Sequence, residues 1–237
     1  LKSKTPTYKI IAVIPAFNEA EKIKEVIDKT KKHVSEVIVV NDGSSDNTSE
    51  LASQSNVSVI DIVTNKGAGF ATRAGCDFAV KNGADIIVTI DADGQHCADD
   101  IPDVLNKLII EEVDIVFGYR ISDSKTPFVK KLGNKIIVFL SRLLFGVKLK
   151  DVLTGFHAFK SGAYPLLRWD SDRYCFGPEF VYRIHKNKLS FDEVKIKTIF
   201  FDNNDGMKIS DGIKSILLLF MWRLRIPKRV IKYFNLK

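Results

Sequence analysis

Two carboxylates spaced by one residue, Asp91 and Asp93 in Asp91-Ala92-Asp93-Gly94-Gln95-His96, follow directly on the apolar stretch Ile86-Ile87-Val88-Thr89-Ile90. In an extended chain, side chains two residues apart point to the same side, so the pair converges on one point. Converged carboxylates repel unless a cation, a proton or a hydrogen-bond donor stands between them. A hard divalent cation takes oxygen ligands of this kind and commonly bridges to a substrate phosphate. The same residues also suit a solvated Asp/Gly turn that closes a strand. What surrounds the pair along the chain bears on the choice.

The apolar run at residues 10–14 reads as a buried strand, and 36–40, 57–63 and 86–90 read as the second, third and fourth strands. Helical patterns at 18–32, 46–53 (with Asp46 as a cap) and 70–81 fall between them. Strands and helices that alternate over short connections predict an α/β domain of three layers, with a mostly parallel sheet covered on both faces. Such sheets bind ligands outside the carboxyl ends of their strands. The polar loops at 15–19, 41–45, 65–69 and 91–95 all fall at that edge, which favours a binding site over a set of plain turns. Lys66-Gly67-Ala68-Gly69 lacks the third glycine of a dinucleotide fingerprint and is not a P-loop. Its lysine suits a phosphate contact, and its glycines equally suit a helix-opening turn. Asp42 suits a turn or a hydrogen bond to a base or ribose.

At 237 residues, 45% hydrophobic and 27% charged, the chain is long enough for one large α/β domain with or without an appendage. No run approaches the roughly 20 apolar residues that span a bilayer, and no secretory signal pattern is present. Cys76, Cys97 and Cys175 have no metal-type spacing and read as free thiols in a reducing compartment. Residues 207–237 hold eight basic side chains against one acidic, which accounts for the whole net charge of +7. That tail surrounds the apolar run 216–222, a combination that suits an anionic membrane surface better than nucleic acid. A packed C-terminal helix with a solvated basic end is the other reading. The expected organisation is a catalytic domain over 1–206 and a basic, amphipathic, membrane-associating region over 207–237.

Pro15-Ala16-Phe17-Asn18-Glu19, Asn41-Asp42-Gly43-Ser44-Ser45-Asp46, Asn65-Lys66-Gly67 and Asp91-Ala92-Asp93-Gly94-Gln95 together resemble the family 2 glycosyltransferases of GT-A fold. Phe117-Gly118-Tyr119-Arg120 sits where that family carries Gly-x-Arg, and residues 130–145 and 151–159 are similar to dolichyl-phosphate mannose and glucose synthases. The likeness runs from about residue 9 to about residue 210.

The resemblance implies inverting transfer of a hexose, mannose or glucose, from a GDP- or UDP-sugar to a dolichyl or other polyprenyl phosphate. It implies Mg2+ or Mn2+ held by Asp91, Asp93 and Gln95 at the departing diphosphate, which is where negative charge grows. It assigns Pro15, Phe17, Glu19, Val40 and Asp42 to the base and ribose, and Lys66, Ala92 and Lys208 to the rest of the donor. Arg120 is the expected catalytic cation that brings two anionic substrates together, with Lys130, Lys131 and Arg142 as helpers or as a solvated basic face. The expected place is the cytoplasmic face of a membrane, peripherally or as part of a longer membrane protein. Two rivals remain: a family 2 enzyme with another glycan or lipid acceptor, and a non-catalytic sugar-nucleotide-binding module.

Three positions depart from the pattern or divide the reading. His157 stands where relatives usually carry Arg, a titratable group in place of a permanent cation, and both His157 and His96 are expected to be structural. Asp202 stands at an expected arginine position before Lys208, in a loop expected to close over the donor. Glu179, at the start of a helix expected over 179–186, suits either an acid facing substrate or a partner for the helix dipole.

Overall fold

The computed structural model describes residues 8–121, 128–173, 175–199 and 209–226. Its first half is a regular alternation: β1 (Ile10–Ala16), α1 (Ile23–Thr30), β2 (Glu36–Asn41), α2 (Thr48–Ser53), β3 (Ser58–Asp61), α3 (Ala68–Lys81), β4 (Ile86–Thr89), α4 (Ile101–Ile110) and β5 (Ile115–Arg120). The second half adds α5 (Phe128–Phe145), β6 (His157–Lys160), the short α6 (Tyr164–Leu167), α7 (Phe176–Asn187), β7 (Phe191–Ile196) and α8 (Ile209–Arg223).

Among the described residues the sheet has seven strands in the order β3-β2-β1-β4-β6-β5-β7. All neighbours are parallel except β6, which runs antiparallel between β4 and β5. The expected α/β class, three layers and mostly parallel sheet are therefore all present. Residues 156–159 alone did not announce the reversed strand, because a short apolar run carries no direction. Arg120 is the last residue of β5.

Strands covered on both faces are apolar without interruption, and alternate residues feed different layers. Ile11, Val13, Ile38, Val40 and Ile87 enter the layer with α3, α5, α7 and α8. Ala12, Ile14, Val37, Val39 and Val88 enter the layer with α1 and α4. Helix α8 belongs to the first layer: Leu218 and Leu219 are buried, and Trp222 stacks on Tyr182 with ring centroids 5.5 Å apart. Its outer face is exposed. Ile213, Leu217, Phe220 and Leu224 are exposed at i, i+4, i+7 and i+11. Helix α5, which packs beside it, exposes Leu132, Ile136, Phe139 and Leu143 at the same spacing. No helix among the described residues is long and apolar enough to cross a membrane.

Candidate active site

All four polar loops end up together at the carboxyl edge of β1 to β4, as the parallel order requires. The first two are laced to each other. Asn18 N–H donates to Ser44 Oγ at 2.9 Å, Ser45 N–H to Asn18 Oδ1 at 2.8 Å, and Glu19 N–H to Thr48 Oγ1 at 2.8 Å. Asp46 accepts from Ala20 N–H and from the Thr48 N–H and hydroxyl. Burial alone would raise the Asp46 carboxyl, but these bonds hold it below its usual value. Phe17 projects from this pair of loops, 45% exposed and free to stack on a flat ring.

Asp42 is buried, and its two carboxylate oxygens accept the N–H groups of Lys66 at 2.8 Å and Gly67 at 2.7 Å. It therefore shapes the third loop, whose Lys66 side chain is exposed. Val40 and Ala92 are buried in the two core layers, so their side chains serve packing. Pro15 lies opposite Val40 in the β1–β2 register.

Asp91 and Asp93 leave the end of β4 side by side. Burial and the Asp91 charge push the Asp93 carboxyl up, partly offset by the Gln95 N–H that donates to Asp93 Oδ1 at 2.9 Å. Asp91 is depressed although burial opposes it, because His96 bonds to it and the charges of His96 and Arg120 favour its ionised form. His96 Nε2 lies 3.1 Å from Asp91 Oδ2, and since an ionised carboxylate can only accept, this ring nitrogen carries the hydrogen. The buried His96 Nδ1 has no partner among the described residues. Among those residues no cluster of three His, Cys, Asp or Glu side chains encloses a metal site. Two carboxylates that repel each other fit an ion of the Mg2+ kind, which takes its other ligands from phosphate oxygens and water.

The segment between α5 and β6 closes the other side. A Cβ on Gly155 would fall inside both carboxylate oxygens of Asp91, so the backbone there passes directly against the acid. Gly155 O is held by Thr89 Oγ1–H at 2.8 Å. Asp151, 2% exposed, grips Arg120: Nε donates to Oδ2 at 2.7 Å and Nη2 to Oδ1 at 3.3 Å, while Nη2 also donates to Leu153 O at 3.1 Å. Burial would lower the guanidinium, but Asp151, Asp91 and Asp93 hold it above its ordinary value, so it stays charged. The resemblance pointed to residues 151–159 as a segment under the acceptor site without giving Asp151 or Gly155 a role of its own, and Thr89 was not singled out. Asp151-x-x-Thr154-Gly155 was the available signal.

His157 faces away from this cleft, fully buried against Phe117 and Phe180 with centroids 4.9 and 5.1 Å away. Thr89 has given its hydrogen to Gly155, so His157 Nδ1 at 3.1 Å donates to the Thr89 hydroxyl. Burial pushes this imidazole down to about 3, which keeps it neutral. Arg142 is exposed on α5 and Lys131 partly so. Asp202, Lys208, the expected loop over the donor and the Lys130 side chain lie outside the described residues. The chain leaves the described region beside the acidic pair, since Ile199 N–H donates to Gln95 O at 2.9 Å.

A parallel sheet with nucleotide-type loops at its carboxyl edge, an acidic pair at the end of the central strand β4 and a fixed arginine beside it defines a GT-A type glycosyltransferase. Residues 11–176 match the family model described as Glycosyl transferase family 2, and the chain belongs to that family. A UDP-N-acetylglucosamine–dolichyl-phosphate N-acetylglucosaminyltransferase of Methanococcus voltae is 36% identical over 241 residues, covering 91% of this chain and 96% of the relative. A polyprenol monophosphomannose synthase of Mycolicibacterium smegmatis is 29% identical over 206 residues, covering 81% and 77%. The fold is shared with glucosyl-3-phosphoglycerate synthase of Mycobacterium tuberculosis, solved with Mn2+, UDP and glucosyl-3-phosphoglycerate: the TM-score is 0.73 at 20% identity, over 93% of this chain and 81% of that one.

Proposed function

We propose that this glycosyltransferase moves a hexose, mannose or glucose, from a UDP- or GDP-sugar to a polyprenyl phosphate such as dolichyl phosphate, with inversion, at a membrane surface. The observation that carries the reading is the acidic pair flanked by nucleotide-type loops on one side and by the Asp151-held Arg120 on the other. In the reaction an acceptor phosphate oxygen bonds to the anomeric carbon while the bond to the nucleoside diphosphate breaks and the diphosphate leaves with the electron pair. A divalent ion, Mg2+ or Mn2+, held by Asp91, Asp93 and Gln95 supplies neutralising charge at that diphosphate.

The chain's own groups do the rest. Phe17 and the laced loops at 17–20 and 44–48 receive the nucleoside, and Lys66 and Lys208 meet the diphosphate. Asp151 and Leu153 hold Arg120 Nε and Nη2, and Nη1, which has no partner among the described residues, is the nitrogen for the acceptor phosphate. A phosphate monoester is already anionic at neutral pH, so orientation counts for more than a strong general base.

The lipid acceptor is supported by the paired apolar stripes of α5 and α8. Lys135, Arg142 and Arg223 are exposed along the same two helices and Arg225 just beyond α8, a composition that fits an anionic membrane surface. The basic residues over 227–237 extend the same charge in sequence. The names of the two relatives point to the same acceptor class, and that of the Methanococcus relative places an N-acetylhexosamine among the donors to try.

The test is incubation with UDP- and GDP-glucose, GDP-mannose and UDP-N-acetylglucosamine, polyprenyl phosphate, and Mg2+ or Mn2+. A lipid-linked sugar from one donor, lost in Asp93→Ala, is expected. Nucleotide binding with no lipid-linked product from any donor would overturn the reading in favour of a binding module.

A further inference from the structure

Glu179 is the most heavily engaged buried carboxylate of the second half among the described residues, held by Asp170, Ser171 and Arg183. It lies in the first turn of α7, 2% exposed. Its oxygens accept the N–H of Asp170 at 3.0 Å, the N–H and hydroxyl of Ser171 at 3.0 and 2.7 Å, and Arg183 Nη2 at 2.8 Å. A carboxylate with these donors is in place to fix a backbone segment rather than to exchange a proton with solvent.

The fixed segment, residues 169–173, is laid against the third nucleotide-type loop. Phe70 N–H donates to Asp172 O at 2.8 Å, and Trp169 Nε1–H donates to Gly69 O at 2.8 Å. Arg73 of α3 pairs with Asp172 at 2.7 Å. A Cβ on Gly67 would come within 2.6 Å of Asp172 O, and one on Gly69 would overlap Ser171 O. The glycines of Lys66-Gly67-Ala68-Gly69 are thus accounted for by this close backbone approach, and Gly67 also has the positive φ of 104° that disfavours a side chain. From the opposite side Asp42 takes the Lys66 and Gly67 N–H groups. The loop is held between two carboxylates more than a hundred residues apart in sequence, each acting on backbone.

We infer that Glu179 is a positioning residue for donor binding, setting the Lys66–Gly69 loop through residues 170–172, and not an acid or base facing substrate. The inference rests on the donor-site reading only for its effect on affinity. Its structural half is independent of it.

Two variants test it, Glu179→Gln and the milder Ser171→Ala, each compared with wild type by hydrogen exchange, calorimetric binding of UDP and GDP with Mn2+, and thermal melting. Expected in Glu179→Gln are faster exchange in the peptide spanning 64–71 with β1 unchanged, and about tenfold weaker nucleotide binding. Ser171→Ala should do the same to a lesser degree, with less than additive effect in the double variant. In turnover, donor KM should rise while kcat and the pH profile stay near wild type. Unchanged exchange over 64–71 overturns the inference whatever the nucleotide does. So does a fall in kcat with loss of the pH profile's acid-side limb at unchanged donor affinity, the sign of a base. If wild type bound neither nucleotide, the donor reading and the affinity half would both fall, while the exchange result would still decide the loop.

Discussion

Arg120 and Asp151 form a two-point pair at the end of β5, with Nε to Oδ2 at 2.7 Å and Nη2 to Oδ1 at 3.3 Å. The acid is buried and the guanidinium side chain is 30% exposed, so one end of the arginine is anchored and the other is presented to the cleft. An ion pair of this kind spends part of its charge inward and gains a defined direction outward.

Asp151→Asn should therefore lower kcat/KM by about ten- to a hundredfold, the range for loss of an orienting partner. Arg120→Lys should not restore what Arg120→Ala loses, because an ammonium cannot both fork onto Asp151 and reach a phosphate. Steady-state kinetics against acceptor phosphate check both. Wild-type kinetics in Asp151→Asn would remove the orienting role.

Gly155→Ala places a methyl group where the Asp91 carboxylate stands. Either the acid or the loop must move, and Mn2+ affinity with UDP present should fall by about tenfold. Electron paramagnetic resonance of bound Mn2+, alongside a melting curve to show that the fold persists, measures this directly. Equal Mn2+ binding would show that Asp91 can swing aside without consequence.

His157 gives a prediction about acid stability. Its folded value of about 3 lies below the ordinary 6.5, so between those pH values the unfolded chain binds a proton that the folded chain refuses. Stability is unaffected by this group above pH 6.5 and is lost progressively as pH falls toward 3. At pH 5 the cost is about 2 kcal/mol by linkage. His157→Phe removes the titrating group, keeps an aromatic ring among Phe117 and Phe180, and leaves Thr89 bonded to Gly155. Urea melts from pH 7 to pH 4 should show a shallower loss of stability than in wild type. Parallel slopes would mean that this imidazole protonates without difficulty where it lies.

The two apolar stripes predict membrane affinity that is separable from folding. Phe139 is 63% exposed and Leu217 46% exposed, so Phe139→Glu and Leu217→Glu remove little packing. Each should weaken binding to anionic vesicles by about tenfold or more, from the lost apolar transfer and the added charge. The melting temperature should shift little. Vesicle co-sedimentation that is indifferent to both changes would place the lipid surface elsewhere.

Much of this architecture was legible along the chain because its signals are local. Apolar runs marked β1, β2 and β4, a mixed stretch marked the edge strand β3, polar loops followed each, and the edge they share follows from parallel order. Asp91 and Asp93 were legible as a neighbouring acidic pair from their spacing, although the chain turns at Ala92 and Asp93 instead of staying extended, and the Asp91 charge acts on Asp93. The membership of family 2 rested on motifs of the same local kind.

What only the tertiary structure decided is where partners distant in sequence meet. Asp42 and Glu179 read from the sequence as groups for a ligand or a helix dipole, and folding commits both to backbone N–H groups of other segments. Arg120 finds Asp151 across 31 residues, and Gly155 reaches Asp91 only because β6 turns antiparallel beside β4. His157, the first residue of β6, pairs with Thr89 across the sheet and is packed into the aromatic core by Phe117 and Phe180, partners that lie far away in sequence. Residue types fix which bonds a side chain can make, but a buried donor takes the acceptor that packing brings to it, and that choice is made by the whole sheet at once.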